Sequence, residues 1–229
     1  NWLNPVESAV SLAGGGNYSA SWVDRVGFRL GAGGCMEDFP DTFEALFAND
    51  LLVLDNIQAI DLGARRRAMI ADFVRSGGAL LCFGGSFNLS MGSEHNTALA
   101  ELLPVRLARY RDLATATAGL ALAPKNAAFF GGKIDWAKAG AAFTVDTSPL
   151  KPDVEILATA GAHPAIVASR FGNGRVITFL INPHGDPAPG ARRRTPQGAA
   201  APPSRPRGRW SCREWRRGRT VRASPQRRW

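Results

Sequence analysis

Two glycine pairs enclose five apolar residues in Gly77-Gly78-Ala79-Leu80-Leu81-Cys82-Phe83-Gly84-Gly85, and no other stretch constrains the fold as much. Such a run is too short for a helix and lacks alternation, which is the pattern of a strand covered on both faces. The residues before it read as a helix. Met69, Ile70, Phe73 and Val74 recur at i, i+1, i+4 and i+5, while Arg65, Arg66, Arg67, Asp72 and Arg75 fill the remaining positions, so one face is apolar. Gly77-Gly78 supplies the positive φ that ends a helix. Upstream, Leu51-Leu52-Val53-Leu54 is a second apolar run between Asp50 and Asp55. Strand 51–54, a helix from about 61 to 76 and strand 79–83 make a βαβ unit, with parallel strands and a right-handed crossover. The Gly84-Gly85-Ser86 loop then lies at the carboxyl edge of a parallel sheet, where open α/β sheets build their sites.

Local signals extend this reading in both directions. Residues 8–13 (SAVSLA) form a candidate first strand, followed by Gly14-Gly15-Gly16-Asn17 and by Ser19 as the cap of a helix over 20–30. Strand, glycine loop and helix start suggest a phosphate cradle, yet neither a P-loop Lys-Ser/Thr nor a full dinucleotide fingerprint is present, and a structural turn is the favoured reading. Asp41 or Thr42 caps a short helix over 43–48, and Thr97 caps another over 98–103 that Pro104 stops. Between Val105 and Leu150 the expectation is short strands and loops, with Phe129-Phe130-Gly131-Gly132 as a turn. Residues 155–160, 165–169 and 175–181 are the closing strands, the last two joined through Phe171-Gly172-Asn173-Gly174.

Composition matters at the carboxyl end. Residues 188–229 hold 13 Arg, no Lys and one acid, Glu214, a charge of +12 that leaves residues 1–187 at −3 out of the chain's +9. From Pro187 onward Val221 is the only branched aliphatic residue, so this tail cannot bury a core and is expected to be disordered. An arginine-rich arm carrying Trp210, Trp215 and Trp229 suits nucleic acid; a solvated linker is the plain alternative. The favoured reading is a frameshift near Pro187, because Arg, Pro, Gly, Ala, Ser and Trp are written by GC-rich codons and the change is abrupt. Nucleic acid is therefore a disfavoured partner. No apolar run reaches the length of a membrane span. Asn1 in place of Met, with no signal peptide, suggests a fragment whose start is missing, and three cysteines without metal or disulfide spacing weakly favour a reducing, cytoplasmic setting.

In order, FPDTFEAL, NDLLVLDN, the amphipathic helix, GGALLCFGGSFNLSMG, TALAELLPV and FGNGRVITFLINPHGD resemble the glutamine amidotransferase-like domains of bacterial proteins, over about residues 8–186. The resemblance implies the class I glutamine amidotransferase-like superfamily and its fold, a flavodoxin-like three-layer α/β sandwich with a mostly parallel central sheet. It places the domain at residues 1–187, and the arginine-rich tail departs from the family where residue 187 is passed.

A working glutaminase needs a cysteine on a sharp strand-to-helix elbow beside N–H donors, a histidine that takes its proton and an acid that orients the histidine. By the resemblance that elbow falls at or near Gly84, two residues beyond Cys82. Cys82 inside an apolar strand reads as a buried, inert thiol, and Ser86 reads as a turn residue before it reads as a nucleophile. His184-Gly185-Asp186 resembles the His-x-Glu element of active amidotransferases, with Asp in place of Glu; its plain alternative is a strand-end histidine bonded to backbone. His95 and His163 read as solvated loop residues. The expectation is a degenerate domain in which Gly84, Gly85 and Ser86, with Gly15, Gly16 and Asn17, bind a small polar ligand or dock a neighbouring domain, with no metal and no cofactor. The alternative is an amide hydrolase using Cys82, His184 and Asp186. The readings of the tail separate on truncation at Pro187. A nucleic-acid arm requires DNA affinity that falls steeply with salt and vanishes in the truncated chain, whereas the frameshift reading expects the truncated chain to stay soluble and folded, with an unchanged circular dichroism melt.

Overall fold

The computed structural model describes residues 23–24, 35–36 and 39–183, apart from 86, 87, 93 and 133. The first element pair is small: β1 (Val23–Asp24) pairs antiparallel with β2 (Cys35–Met36). This replaces the helix expected over 20–30 at those positions, because Val23–Asp24 pairs across a connection holding Gly31, Gly33 and Gly34 rather than winding on itself. The expected strand at 8–13 and the tail from Pro187 lie outside the described residues.

The βαβ unit forms as its pattern dictates. α1 (Phe43–Phe47) starts at Thr42, whose Oγ1 accepts from the Ala45 amide at 3.2 Å. β3 (Leu51–Asp55) leads into α2 (Ala59–Ser76), bent at Gly63, which has φ 69°. Met69, Ile70, Phe73 and Val74 are buried on its inner face, each contributing about 1.5–3 kcal/mol of burial. Gly77, at φ 130°, closes the helix, and β4 (Ala79–Phe83) follows, parallel to β3 with Leu54 opposite Cys82.

Beyond β4 the expected sheet is corrected. α3 (Ala98–Leu102) is capped by Thr97, whose Oγ1 accepts from the Ala100 amide at 3.3 Å, and Lys151 Nζ donates to the Ala100 and Glu101 carbonyls at its other end. Then come β5 (Leu113–Pro124), β6 (Ala141–Asp146), β7 (Glu155–Ala160), β8 (His163–Phe171) and β9 (Gly174–Phe179). The seven-stranded sheet has the order β3-β4-β9-β8-β7-β5-β6. Only β3–β4 and β4–β9 are parallel; the other pairs are antiparallel, so the sheet is mixed and mostly antiparallel, with few helices over it. Turn length is the physical reason. Gly161-Ala162 and Gly172-Asn173 join successive strands through two residues, which only antiparallel neighbours allow. The stretch 105–150, expected as short strands and loops, contains a twelve-residue β5 whose Ala and Thr alternate between half-buried and exposed. His163 sits in β8 rather than a loop, and His95 is partly buried with Nδ1 2.7 Å from the Leu107 carbonyl.

Two places in this packing are demanding. Gly174 opens β9 directly over α2's last turn, and a Cβ there would run into the Val74 and Gly78 carbonyls. Glu94, between β4 and α3, is 1% exposed, and among the described residues no donor meets either of its carboxylate oxygens in good hydrogen-bonding geometry. Burial pushes its pKa up to about 8, against the partial pull of its own amide, the Ala59 amide and Arg67, while Asp146 pushes the same way as burial.

Gly174→Ala should cost more than about 2 kcal/mol, because two backbone carbonyls cannot swing aside, whereas Gly131→Ala, with open space but φ 63°, should cost only about 1–2 kcal/mol of left-handed strain; urea midpoints compare the two. Folded Glu94 keeps its proton up to about pH 8, while the unfolded chain releases it near 4.5. Stability is therefore lost as pH rises from about 4.5 to 8, on the order of 4 kcal/mol from this group. Glu94→Gln should abolish that share of the decline in urea midpoints measured at pH 5 and pH 8.5.

Candidate functional site

The carboxyl ends of β4 and β9 meet where the chain leaves β4. The Gly84 amide donates to the Phe179 carbonyl at 2.9 Å, extending the β4–β9 ladder by one residue. A Cβ on Gly84 would lie 2.6 Å from the Phe179 oxygen and 2.9 Å from the Ile181 oxygen, and a Cβ on Gly85 would collide with the Asn56 side-chain amide. Glycine is thus required at 84 by close approach of the neighbouring backbone, whereas a side chain at 85 would have to displace that of Asn56. The elbow position implied by the resemblance has no room for a side chain. The Gly84 amide is spent on β9 rather than offered to a ligand. The Gly85 amide has no acceptor among the described residues.

Cys82 lies two residues back, inside the sheet between Leu54 and Thr178, 3% exposed. Asn88 Nδ2 stands 3.9 Å from its Sγ and also donates to the Phe83 carbonyl. Burial drives the thiol far above its ordinary range, and the nearby Glu94 and Asp55 carboxylates push the same way. A thiolate is therefore strongly disfavoured there, and with it nucleophilic attack. Ser86, His184, Asp186, Gly15, Gly16 and Asn17 lie outside the described residues, so of the expected site the structure places Cys82, Gly84 and Gly85.

Above Gly84 and Gly85 opens a cleft of about 320 Å³. One wall is the end of β9, with Leu180, Ile181 and Asn182; the opposite wall is the start of β5 and end of β6, with Leu113, Thr115, Thr144 and Asp146; Leu89, Met91 and Arg111 complete it. Register explains the second wall, since Leu113 faces Asp146 and Thr115 faces Thr144 across the β5–β6 pair. Asp146 is 5% exposed, and its two oxygens accept from the Ser90 and Ser148 amides, both at 2.9 Å. It pins the loop after β4 to β6. Sequence reading missed Asp146 and Arg111. Asp146-Thr147-Ser148 carried a usable signal, an Asp accepting from the amide two residues on; Arg111 carried none. Among the described residues no three His, Cys, Asp or Glu side chains gather as a metal site would, and no helix is long and apolar enough to cross a membrane.

Comparison with known proteins follows this geometry. The family model described as "Putative glutamine amidotransferase" matches residues 29–188. Among solved structures, cytoplasmic protein STM3548 from Salmonella typhimurium superposes with a TM-score of 0.56 at 21% identity, over 64% of this chain and 65% of that one, just under two thirds of its length. Cytoplasmic protein STM1381 from Salmonella typhimurium LT2 gives 0.52 at 21% identity, over 71% of this chain and 85% of that one. At such identities these likenesses speak for the fold alone. No curated protein sequence matches the chain. An α/β chain with a βαβ unit, a glycine-bounded β4 and a family match over most of its length belongs to the glutamine amidotransferase-like family.

Proposed function

We propose that this chain is a degenerate amidotransferase-like domain, in which the crevice at Gly84 and Gly85 holds a small polar ligand or docks a neighbouring domain and performs no amide hydrolysis. One observation carries the reading: the elbow position is a glycine pair closed off by the Phe179 and Ile181 carbonyls and by Asn56, while the nearest thiol, Cys82, is buried in the strand. Glutaminase chemistry requires an exposed thiolate with N–H donors aimed at the developing oxyanion. Here the Gly84 donor is engaged and the thiol is held neutral. The parallel part of the sheet, β3-β4-β9, is the flavodoxin-like portion on which such a site is built.

His184 and Asp186 are proposed to flank the crevice from the chain after β9, and Gly15, Gly16, Asn17 and Ser86 to complete it. Membership of the family favours a second reading, an amide hydrolase in which Cys82 becomes reachable and His184, held by Asp186, takes its proton.

The two leading readings separate on the thiol. Incubation of the full chain with a glutamine-analogue chloroketone, mapped by mass spectrometry, should leave Cys82 unmodified until denaturant is added, and glutamine should yield no ammonia above background. Rapid native labelling of Cys82 that His184→Ala abolishes would establish the hydrolase and end the degenerate reading.

A further inference from the structure

We infer that the cleft beside Gly85 takes a small organic monoanion, a carboxylate on a short apolar body, with Arg111 meeting the charge. This rests on the reading of the crevice as a ligand site. Arg111, an exposed residue, is the one cation among the described residues that line the cleft, and its guanidinium makes no hydrogen bond or ion pair among them. Its backbone is held on purpose-built contacts. At φ 60° it occupies the left-handed region that non-glycine residues rarely adopt. The Arg111 amide donates to the Ser90 carbonyl at 2.9 Å, and the next residue, Asp112, is fixed by the Thr147 amide and hydroxyl at 2.8 and 3.1 Å. The chain on both sides of the side chain is thus clamped at the rim of the cleft.

The rest of the lining defines what the cation would meet. Leu89, Met91, Leu113 and Leu180 give an apolar wall, and the volume of about 320 Å³ is at the small end of ligand cavities. Asp146, the one acid there, already accepts an amide hydrogen on each oxygen. Each oxygen keeps a second lone pair, but an ammonium would have to share an acid that two amides already bind, whereas a carboxylate meets the unpaired Arg111 guanidinium, so the carboxylate is favoured. A phosphate dianion would want more than one cation or a set of convergent amides, and the lining supplies a single guanidinium. Thr115 and Thr144, opposite one another in register, add hydroxyl-bearing side chains to the lining.

The test is an NMR titration of the ¹⁵N-labelled full chain at pH 7 with hexanoate, hexanamide and hexylamine. Hexanoate should shift the amides of Gly85, Leu113, Thr115 and Thr144 and bind about 10-fold more tightly than hexanamide, with hexylamine silent. Arg111→Asn, which tolerates the left-handed conformation, should weaken hexanoate about 10-fold and leave hexanamide unchanged. Equal binding of hexanoate and hexanamide, or hexanoate binding untouched by Arg111→Asn, overturns the anion inference while leaving a polar ligand site. If no probe shifts the cleft amides, both this inference and the ligand-binding reading beneath it fall.

Discussion

The approach of β4's exit to β9 is the constraint on which the rest of the structure depends. Parallel pairing in register, from Ala79 with Arg175 to Phe83 with Phe179, carries the two strands side by side to their carboxyl ends. The ladder does not stop there, because the Gly84 amide continues onto the Phe179 carbonyl. Any residue that continues a ladder against a neighbouring backbone gives up the open space a nucleophile's side chain needs. Glycine at 84 and 85 is the only solution that keeps Phe179, Ile181 and Asn56 where they are.

That seam also joins two kinds of sheet. On one side lie β3 and β4, tied by the α2 crossover; on the other lie antiparallel strands, of which β7, β8 and β9 follow one another through two-residue turns. The cleft sits between the chain leaving β9 and the β5–β6 pair, with Gly84 and Gly85 from the exit of β4, so both halves contribute to its lining. Asp146 holds them together through amides of the loop after β4 and of its own turn, and amide bonds to a charged acceptor contribute about 1.5–3 kcal/mol each. Glu94 is the counterexample nearby. It is just as buried but meets no donor in hydrogen-bonding geometry, so its charge is disfavoured and its proton retained.

Legibility followed the strength of local signals. Ala79–Phe83 was readable to the residue because glycine pairs bound an apolar run; α2's buried face was readable because Met69, Ile70, Phe73 and Val74 keep one period; Thr42 and Thr97 were readable as caps. The sheet's direction was not. A parallel βαβ unit at 51–83 suggested more of the same, but strand polarity beyond it is decided by two-residue turns and by long-range pairing. β5 was illegible for another reason: LATATAGLALAP is built from small residues whose propensity for strand is weak, and partners in β6 and β7 make it one. Of the candidate site, the burial of Cys82 followed from its strand, whereas Arg111 gains its place only through contacts with Ser90 and through Thr147's hold on Asp112.

The same geometry bears on the degenerate reading proposed above. Were the nucleophile merely replaced, one substitution at the elbow would restore it. A Cβ at Gly84, however, would press on two carbonyl oxygens that belong to the strand end, and those oxygens are fixed by the ladder that also orders β8 and β9. A cysteine could be accommodated only by moving the end of β9, and with it the wall that carries Leu180 and Ile181. Cys82 offers no shortcut, since turning its thiol outward would also turn out Leu80, which shares its face of the strand and is packed into the interior. On the degenerate reading proposed above, loss of chemistry would lie in strand pairing rather than in one side chain.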